Sequence, residues 1–381
     1  MQRYDTIIVG GGPAGAASAW KLRRAGMKVA VVDQAVFPRD KVCAGWITPS
    51  VLKSLEIEPR DYSRGRMLQK VGGFRVGLMG TVGKNTAGKK NGAADIKYPG
   101  TISYGIRRSE FDDYLLRRSG AHVFTGINVH SLKRDGWDWV INDDFSAPML
   151  IGAGGHACPV ARALGAQPND ETAVVAKEIE FLLPEYARAT CKVHSEQPEL
   201  YFCHDLAGYG WCFRKGDYLN VGLGREERWE LAKHVEGFLS FLQRERGVPF
   251  PPKHLNGHAY LLYGKGRRTR VAQGALLVGD AAGLAYPYSG EGIRPAVESG
   301  LLAAQTIIEA EGDYSHERLE PYLERLRRQF GNDSSLKTTV SSAIPSWARV
   351  SLGRSVFSSP GLVRRMILDN GFLHPSPNAV Y

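Results

Sequence analysis

The chain opens with two short apolar runs separated by one amphipathic segment. Residues 6–9 are continuously apolar, apart from the leading threonine, which predicts a buried strand of a parallel sheet. Residues 14–25 follow with a helical pattern that Gly26 closes as a C-terminal cap. A second apolar run over residues 28–32 ends at Asp33. The pattern therefore predicts a strand–helix–strand unit at the start of the chain.

The turn between the first strand and the helix contains three spaced glycines. Gly10 permits a tight turn, Gly12 lets a pyrophosphate approach the backbone, and Gly15 lets the helix pack closely on the strand. The helix N-terminus offers N–H groups and a positive dipole end to phosphates. Asp33 is placed to accept hydrogen bonds from ribose hydroxyls. Because all parts occur in order, the segment predicts a dinucleotide site.

A second strong pattern lies near the other end of the chain. Residues 276–278 predict a buried strand, which Gly279 and Asp280 terminate. A helical stripe of apolar residues then begins at Ile293. The intervening loop is rich in proline and glycine, with Pro287, Gly290 and Gly292. Asp280 is expected to hydrogen-bond a polyol chain, and the alternative is a purely structural cap or turn. The dipole of the helix that Gly292 starts would stabilise negative charge on a bound cofactor.

Four stretches resemble the geranylgeranyl reductase family of flavoproteins, which has the para-hydroxybenzoate-hydroxylase-like fold. They read "GDAAG…P…GEGI", "YGIRRSEFDDYLLRRSGA", "GYGWCFRKGDYLNVGLG" and "KVCAGWITPSVL". The resemblance implies that FAD is the cofactor and that Arg108 lies near it. It also implies that the third stretch lines the substrate cavity and that the fourth lies near the isoalloxazine ring. Tyr209 and Trp211 alternate along the third stretch, so both face one side of a strand.

These patterns define the candidate site. The candidate cofactor-binding residues are Gly10, Gly12, Pro13, Ala14, Gly15, Asp33, Gln34, Arg39, Ala44, Arg108, Val129, Gly279, Asp280, Pro287, Gly290, Gly292 and Ile293. The candidate catalytic residues are Cys43, Trp46, Tyr209 and Trp211. No metal site is predicted.

The chain departs from the family pattern at three positions. Gly154 replaces an aspartate, Arg214 stands where the family has proline, and Trp46 stands where a glycine is expected. These departures imply an altered cavity and therefore a different substrate.

Cys43 has several possible roles. A redox disulfide or a metal site would need partners at suitable spacing, and the sequence offers none. Two hypotheses remain open. Cys43 is either a small, weakly polar residue packed beside the flavin, or an active thiol whose pKa a nearby helix N-terminus lowers.

Composition adds a bound on partners. The chain has 381 residues and a formal net charge of +10, which is consistent with anionic partners or with a solvated basic surface. No nucleic-acid-binding module is recognisable. Five widely spaced cysteines and the absence of a leader or a long apolar run predict a cytoplasmic protein. The segment 359–372 has a basic amphipathic pattern, so peripheral membrane contact and packing on the domain both remain open.

The expected fold class is α/β. We expect a Rossmann-like FAD-binding domain, an interleaved sheet-rich substrate domain and a helical C-terminal tail. The predicted boundaries are 1–70, 101–168 and 265–330 for the FAD-binding domain, 71–100 and 169–264 for the substrate domain, and 331–381 for the tail.

The resemblance implies an FAD-dependent oxidoreductase that reduces carbon–carbon double bonds of an apolar, isoprenoid-like small molecule by hydride transfer from reduced flavin. One alternative is a flavin-dependent monooxygenase or halogenase, although "GYGWCFRK" matches the halogenase stretch Trp-x-Trp-x-Ile-Pro only in part. A second alternative is an electron-transfer dehydrogenase that docks an acidic carrier protein. No second strand–glycine–helix unit is apparent, so NAD(P)H or reduced ferredoxin is expected to act as a transient electron donor.

Overall fold

The computed structural model describes seven stretches of the chain. They are residues 1–79, 93–166, 171–226, 230–265, 268–331, 355–357 and 359–373.

The described residues form strands gathered in four sheets. The strands are β1 (Gln2–Arg3), β2 (Thr6–Val9), β3 (Val29–Asp33), β4 (Trp46–Ile47), β5 (Leu68–Val71), β6 (Gly73–Leu78), β7 (Ala94–Lys97), β8 (Ser103–Ile106), β9 (His122–Thr125), β10 (Leu132–Asp135), β11 (Asp138–Ile141), β12 (Phe145–Ala147), β13 (Met149–Gly152), β14 (Val174–Leu182), β15 (Glu199–Phe202), β16 (Gly208–Lys215), β17 (Tyr218–Arg225), β18 (Asn256–Tyr260), β19 (Val271–Ala272) and β20 (Ala275–Leu277).

The helices lie between these strands and at the C-terminal side. They are α1 (Pro13–Arg24), α2 (Pro49–Ser54), α3 (Pro59–Tyr62), α4 (Arg108–Arg118), α5 (Pro159–Ala163), α6 (Glu185–Arg188), α7 (Leu231–Arg246), α8 (Ile293–Glu309), α9 (His316–Leu319), α10 (Pro321–Phe330) and α11 (Pro360–Leu362), with a 3₁₀ turn at Gly279–Ala282 and a π-helical segment at Val363–Phe372.

A six-stranded sheet carries the predicted strand–helix–strand unit. Its order is β19-β20-β13-β2-β3-β9, and its neighbours are parallel except for β19 and β20. The inner strands β2, β3, β13 and β20 are almost entirely buried and apolar, as expected for a parallel sheet covered on both faces, whereas the edge strand β9 is exposed or half-buried. The carboxyl ends of β2, β3, β13 and β20 meet at one edge, where ligands bind in open α/β sheets.

The first helix packs closely against α8. A side chain at Gly300 would place its Cβ 2.4 Å from the carbonyl oxygen of Ala14. The Ser18 hydroxyl donates to the Gly300 carbonyl at 3.0 Å. This contact brings the two predicted glycine-rich turns, which precede α1 and α8, to the same side of the sheet.

A seven-stranded sheet forms the second layer, in the order β18-β14-β17-β16-β15-β6-β7. Helix α7 packs on one of its faces, where Gly210 leaves room for Phe238, since a Cβ there would lie 2.6 Å from the ring. Trp211 covers Gly222 in the same way, with a Cβ distance of 2.3 Å. The remaining two sheets have the orders β4-β8-β5 and β1-β12-β11-β10.

The expected mixed α/β class with C-terminal helices is confirmed. The first three elements lie within one residue of their predicted bounds. The charged stretch 314–331 forms two helices, because Pro321 begins a second helix at its first position. The domain boundaries stay a prediction, and residues 332–354, 358 and 374–381 of the predicted tail lie outside the described residues.

Candidate functional site

One cavity of about 780 Å³ lies between the parallel sheet and the seven-stranded sheet. All candidate residues line it except Gly15, Gly279 and Pro287. Those that line it are Gly10, Gly12, Pro13, Ala14, Asp33, Gln34, Arg39, Cys43, Ala44, Trp46, Arg108, Val129, Tyr209, Trp211, Asp280, Gly290, Gly292 and Ile293. Segments that are up to about 280 residues apart in sequence therefore meet in one space.

Two of the remaining candidates serve the packing beneath the cavity. A Cβ on Gly15 would lie 1.9 Å from the Gly10 carbonyl oxygen, so only glycine permits this approach. Gly279 has a positive φ of 57°, and a Cβ there would lie 3.2 Å from Ala14 Cβ and 3.3 Å from Ala296 Cβ. Pro287 lies in the loop before α8, outside the cavity lining.

The dinucleotide end of the cavity has the features that FAD needs. Asp33 Oδ2 accepts a hydrogen bond from the Gly11 N–H at 2.6 Å, and Oδ1 accepts one from the Ala35 N–H at 2.8 Å. A carboxylate has further lone pairs, so Asp33 can still accept from ribose hydroxyls. A Cβ on Gly12 would meet only Arg39 Nη2, at 3.5 Å, which leaves open space for a pyrophosphate.

Two arginines line this end of the cavity and share one buried acid. Arg108 donates to both oxygens of Asp112, at 2.8 and 2.7 Å, and Arg39 Nη1 lies 3.2 Å from Asp112 Oδ2. Burial lowers the pKa of Arg108, but Asp112 and Cys43 together raise it by more, so the guanidinium stays charged. Asp112 is fully buried and orients both cations. It is missing from the candidate set, although its i,i+4 spacing from the candidate Arg108 on α4 is a local signal that could have identified it.

Lys41, His258 and Asp280 form a row of three polar side chains in contact. Lys41 Nζ lies 2.8 Å from His258 Nδ1, and His258 Nε2 lies 3.3 Å from Asp280 Oδ2. Burial lowers the pKa of Lys41 to about 8 and also lowers the pKa of His258. Burial raises the pKa of Asp280, but His258 and the neighbouring cations lower it by more, so the carboxylate stays charged. Sequence reasoning missed Lys41 and His258, because 217 residues separate them.

Aromatic side chains enclose the other end of the cavity. We call this set the aromatic chamber; it comprises Trp46, Phe74, Tyr209, Trp211, Phe213 and Phe372. The Trp46 and Phe74 rings meet edge to face with centroids 6.0 Å apart. Phe372 belongs to the C-terminal π-helical segment, and its ring centroid lies 5.4 Å from that of Tyr209. The basic amphipathic segment therefore packs on the domain and closes the chamber, with Val363, Leu368 and Phe372 buried.

The family departures fall in different places. Trp46 lines the chamber, and Gly154 lines the cavity near the parallel sheet. Arg214 is outside the cavity lining, where its Nε donates to the Gly216 carbonyl at 3.0 Å. Arg214 therefore contributes no side chain to the cavity wall.

Cys43 lies at the cavity surface, held through its backbone. Its N–H donates to Glu178 Oε2 at 3.3 Å, and its carbonyl accepts from Asn220 Nδ2 at 3.0 Å. The thiol Sγ accepts from the Gly45 N–H at 3.4 Å. All five cysteines are free thiols. Whether the Cys43 thiol is a packing residue or an active group stays a prediction.

Asn220 links this backbone anchor to the aromatic chamber. Its Nδ2 donates to Glu178 Oε1 at 2.6 Å, and its Oδ1 accepts from the Trp211 indole N–H at 2.8 Å. Burial raises the pKa of Glu178 to about 7, Glu180 adds to the rise, and Lys215 opposes it. Glu178 and Asn220 are therefore positioning residues for Cys43 and Trp211.

The raised pKa of Glu178 predicts a pH-dependent stability. The folded protein retains this proton up to about pH 7, whereas the unfolded chain loses it near the ordinary value of 4.5. Because the folded state binds more protons across that window, the free energy of unfolding should fall as pH rises from about 4.5 to about 7.

Glu178→Gln should remove the contribution of Glu178 to this decrease in the free energy of unfolding. Glu236→Gln, at an exposed position on α7, should leave the decrease unchanged. Urea unfolding of the apoprotein at several pH values measures the difference. Parallel pH profiles for Glu178→Gln and the native protein would contradict the assignment.

Three buried polar atoms of residues that line the cavity have no hydrogen-bond partner among the described residues. They are Arg39 Nη1, Trp46 Nε1 and Glu291 Oε1. An unpaired buried donor or acceptor is costly, and a bound molecule relieves that cost. Together with the open space over Gly12, these atoms fit a cavity shaped for a ligand.

The parallel sheet, the glycine-rich turns and the shared cavity define a dinucleotide-binding flavoprotein. A family model described as an FAD binding domain matches residues 3–334, so the chain belongs to the FAD binding domain family.

Similar proteins agree with this assignment. Menaquinone reductase of Mycolicibacterium smegmatis is 30% identical over 328 residues, which cover 80% of this chain and 76% of that protein. Digeranylgeranylglycerophospholipid reductase of Methanocaldococcus jannaschii is 26% identical over 346 residues, which cover 86% of this chain and 83% of that protein. A geranylgeranyl bacteriochlorophyll reductase-like protein of Thermoplasma acidophilum shares the fold, with a TM-score of 0.72, 21% identity, and coverage of 96% of this chain and 91% of that one.

The resemblance drawn from the sequence is thereby confirmed, and the protein is an FAD-dependent oxidoreductase. When bound, FAD supplies the two-electron chemistry. The residues that would hold it line the cavity: Gly12, Arg39 and Arg108 would face the phosphates, and Asp33 and Asp280 would accept from hydroxyl groups. Among the described residues, no helix is long and apolar enough to cross a membrane.

Proposed function

We propose that the protein reduces carbon–carbon double bonds of an apolar, isoprenoid-like substrate by hydride transfer from reduced FAD. One observation carries this proposal: the aromatic chamber is continuous with the FAD end of the same cavity. A substrate in the chamber would therefore lie against the reactive ring without leaving the protein.

The chemistry of the chamber favours an apolar chain. Its walls are indole and phenyl rings together with Leu200 and Ala176, which bury apolar surface. Most polar groups there already make hydrogen bonds within the protein. The Trp211 N–H donates to Asn220, and the Tyr209 hydroxyl donates to the Ser289 carbonyl. Two of the similar proteins are named as reductases, one of them of a geranylgeranyl-bearing lipid.

The electron donor is part of the proposal. NAD(P)H or reduced ferredoxin would meet the flavin transiently, since only one strand–glycine–helix unit is found among the described residues. Anaerobic addition of NADH, NADPH and reduced ferredoxin in turn, followed by flavin absorbance, identifies the donor.

Peripheral contact with an anionic membrane is also proposed. Leu362, Met366 and Tyr288 are exposed, by 42%, 54% and 71% respectively. Arg364 lies on the same C-terminal segment that supplies Phe372 to the chamber. A lipid substrate could enter the cavity from such a contact.

The proposal is tested by a single-turnover experiment without oxygen. Photoreduced holoenzyme mixed with a lipid bearing a geranylgeranyl chain should have its flavin reoxidised, and mass spectrometry should find two hydrogens added for each double bond reduced. The same mixture with oxidised enzyme is the control. A product that forms only when oxygen is admitted, and that contains added oxygen or halogen, would contradict the proposal and favour a monooxygenase or halogenase.

A further inference from the structure

One acidic side chain in the cavity is held differently from the others. Glu291 lies between Gly290 and Gly292 in the turn before α8, and all three line the cavity. Its backbone is fixed: the N–H donates to Ser289 Oγ at 3.2 Å, and the carbonyl accepts from the Tyr286 N–H at 2.9 Å. The side chain is therefore presented to the cavity from a defined turn.

The carboxyl oxygen Oε1 of Glu291 is buried and has no hydrogen-bond donor in the described part of the chain. The other acids of the site are engaged. Asp33 accepts from two backbone N–H groups, Asp280 faces His258, and Asp112 pairs with Arg108. Glu291 thus differs from these three acids, because its Oε1 has no hydrogen-bond partner among the described residues.

Charged and titratable groups surround Glu291 on several elements. Arg294 and Glu298 face it from α8, Tyr286 from the same turn, and Tyr209 from β16. Arg294 is bound to Glu298, with Nε 2.8 Å from Oε1. Burial raises the pKa of Glu291 to about 8, Arg294 opposes the rise, and Glu298 adds to it. The carboxyl group accordingly carries a proton at neutral pH.

Reduction of a double bond by hydride requires a proton for the second carbon. Two other proton-bearing groups near the chamber already have hydrogen-bond partners. The Tyr209 hydroxyl donates to the Ser289 carbonyl, and Lys41 is engaged with His258. Glu291 lines the cavity, and its buried Oε1 makes no hydrogen bond within the described residues, so a proton on this carboxyl group is available to a substrate.

We propose that Glu291 is the proton donor of the reaction, an inference that rests on the proposed function. As the π bond breaks, one carbon takes a hydride, with its electron pair, from the reduced flavin. The other carbon takes the proton, so its new C–H bond forms as the Glu291 O–H bond breaks. The carboxylate that remains is reprotonated from solvent.

The first test needs no turnover. Infrared difference spectra of the native protein minus Glu291→Gln should contain the carbonyl band of a protonated carboxylic acid, and this band should disappear as pH rises through about 8. The subtraction removes the contribution of Glu178. Absence of such a band at pH 6 would overturn the proposal, because the group would then hold no proton to donate.

The second test is anaerobic single turnover of prereduced enzyme. Glu291→Gln should slow product formation about 100-fold or more, as expected for loss of a general acid, with FAD content unchanged. Glu291→Asp should restore part of the rate, and the native rate should fall above about pH 8. Glu226→Gln, a half-exposed acid paired with Lys265, is the control.

The outcomes separate the two proposals. If Glu291→Gln keeps the native rate and pH profile, Glu291 is not the proton donor, and the proposed function is unaffected. Failure of the native enzyme to reduce any alkene would overturn the proposed function, and the role of Glu291 with it.

Discussion

Replacing Gly12 by alanine should weaken FAD binding and leave the apoprotein as stable as before. Gly12 has φ −70° and ψ −175°, which any residue adopts, and its Cβ would meet only Arg39 Nη2 at 3.5 Å. The space above it is where the pyrophosphate is expected. Forcing a methyl group into a filled site costs about 1–3 kcal/mol, or roughly 5- to 150-fold in dissociation constant. Titration of the apoprotein with FAD measures this loss.

Two other glycines serve as controls for Gly12→Ala. Gly237→Ala, on helix α7 with no atom within 4 Å of its Cβ, should change neither FAD affinity nor the fold. Gly15→Ala should instead destabilise the apoprotein, because its Cβ would lie 1.9 Å from the Gly10 carbonyl oxygen. Native affinity in Gly12→Ala would mean that the pyrophosphate lies elsewhere.

Removing the charge of Lys215 should have the largest effect on stability. Lys215 is fully buried, and its Nζ donates to Glu180 Oε2 at 2.7 Å and to the Ile106 carbonyl at 2.8 Å. Lys215→Met would leave a partly buried carboxylate with Arg107, at 2.9 Å, as its remaining cationic partner among the described residues. Breaking a buried ion pair costs about 3–5 kcal/mol of unfolding free energy. Urea unfolding at pH 7 measures it.

The control for Lys215→Met is Lys233→Met on helix α7. The Lys233 side chain is 80% exposed and lies 3.5 Å from Glu230, so its loss should cost less than about 1 kcal/mol. Burial raises the pKa of Glu180, but Lys215 and Arg107 lower it by more. The stabilisation therefore exists at neutral pH and is lost as pH falls through the lowered pKa. Equal effects of the two substitutions would contradict this account of the buried pair.

The features predicted from sequence are those whose causes lie close together along the chain. The turn from Gly10 to Gly15 and the strand ending at Asp33 depend on local periodicity and on glycine geometry. Their predicted bounds therefore agree with the structure to within one residue. The alternation of Tyr209 and Trp211 likewise places both on one side of β16, facing the cavity.

The features that could not be predicted from the sequence depend on contacts between residues that are far apart along the chain. Lys41 meets His258, and Cys43 is held by Glu178, although no local pattern marks these pairs. Phe372 reaches the chamber from a segment whose basic amphipathic pattern fits a membrane surface equally well. A buried Lys215 is also unexpected from composition, because only the three-dimensional neighbours Glu180 and Ile106 make it tolerable.

We expect the turn at Gly12 and the turn at Asp280 to hold the same FAD molecule. Titration of the apoprotein with FAD, followed by visible absorbance and flavin fluorescence, measures this. One equivalent should bind, and Gly12→Ala and Asp280→Ala should each lower the affinity. A native protein that stays colourless and takes up no added flavin would contradict it.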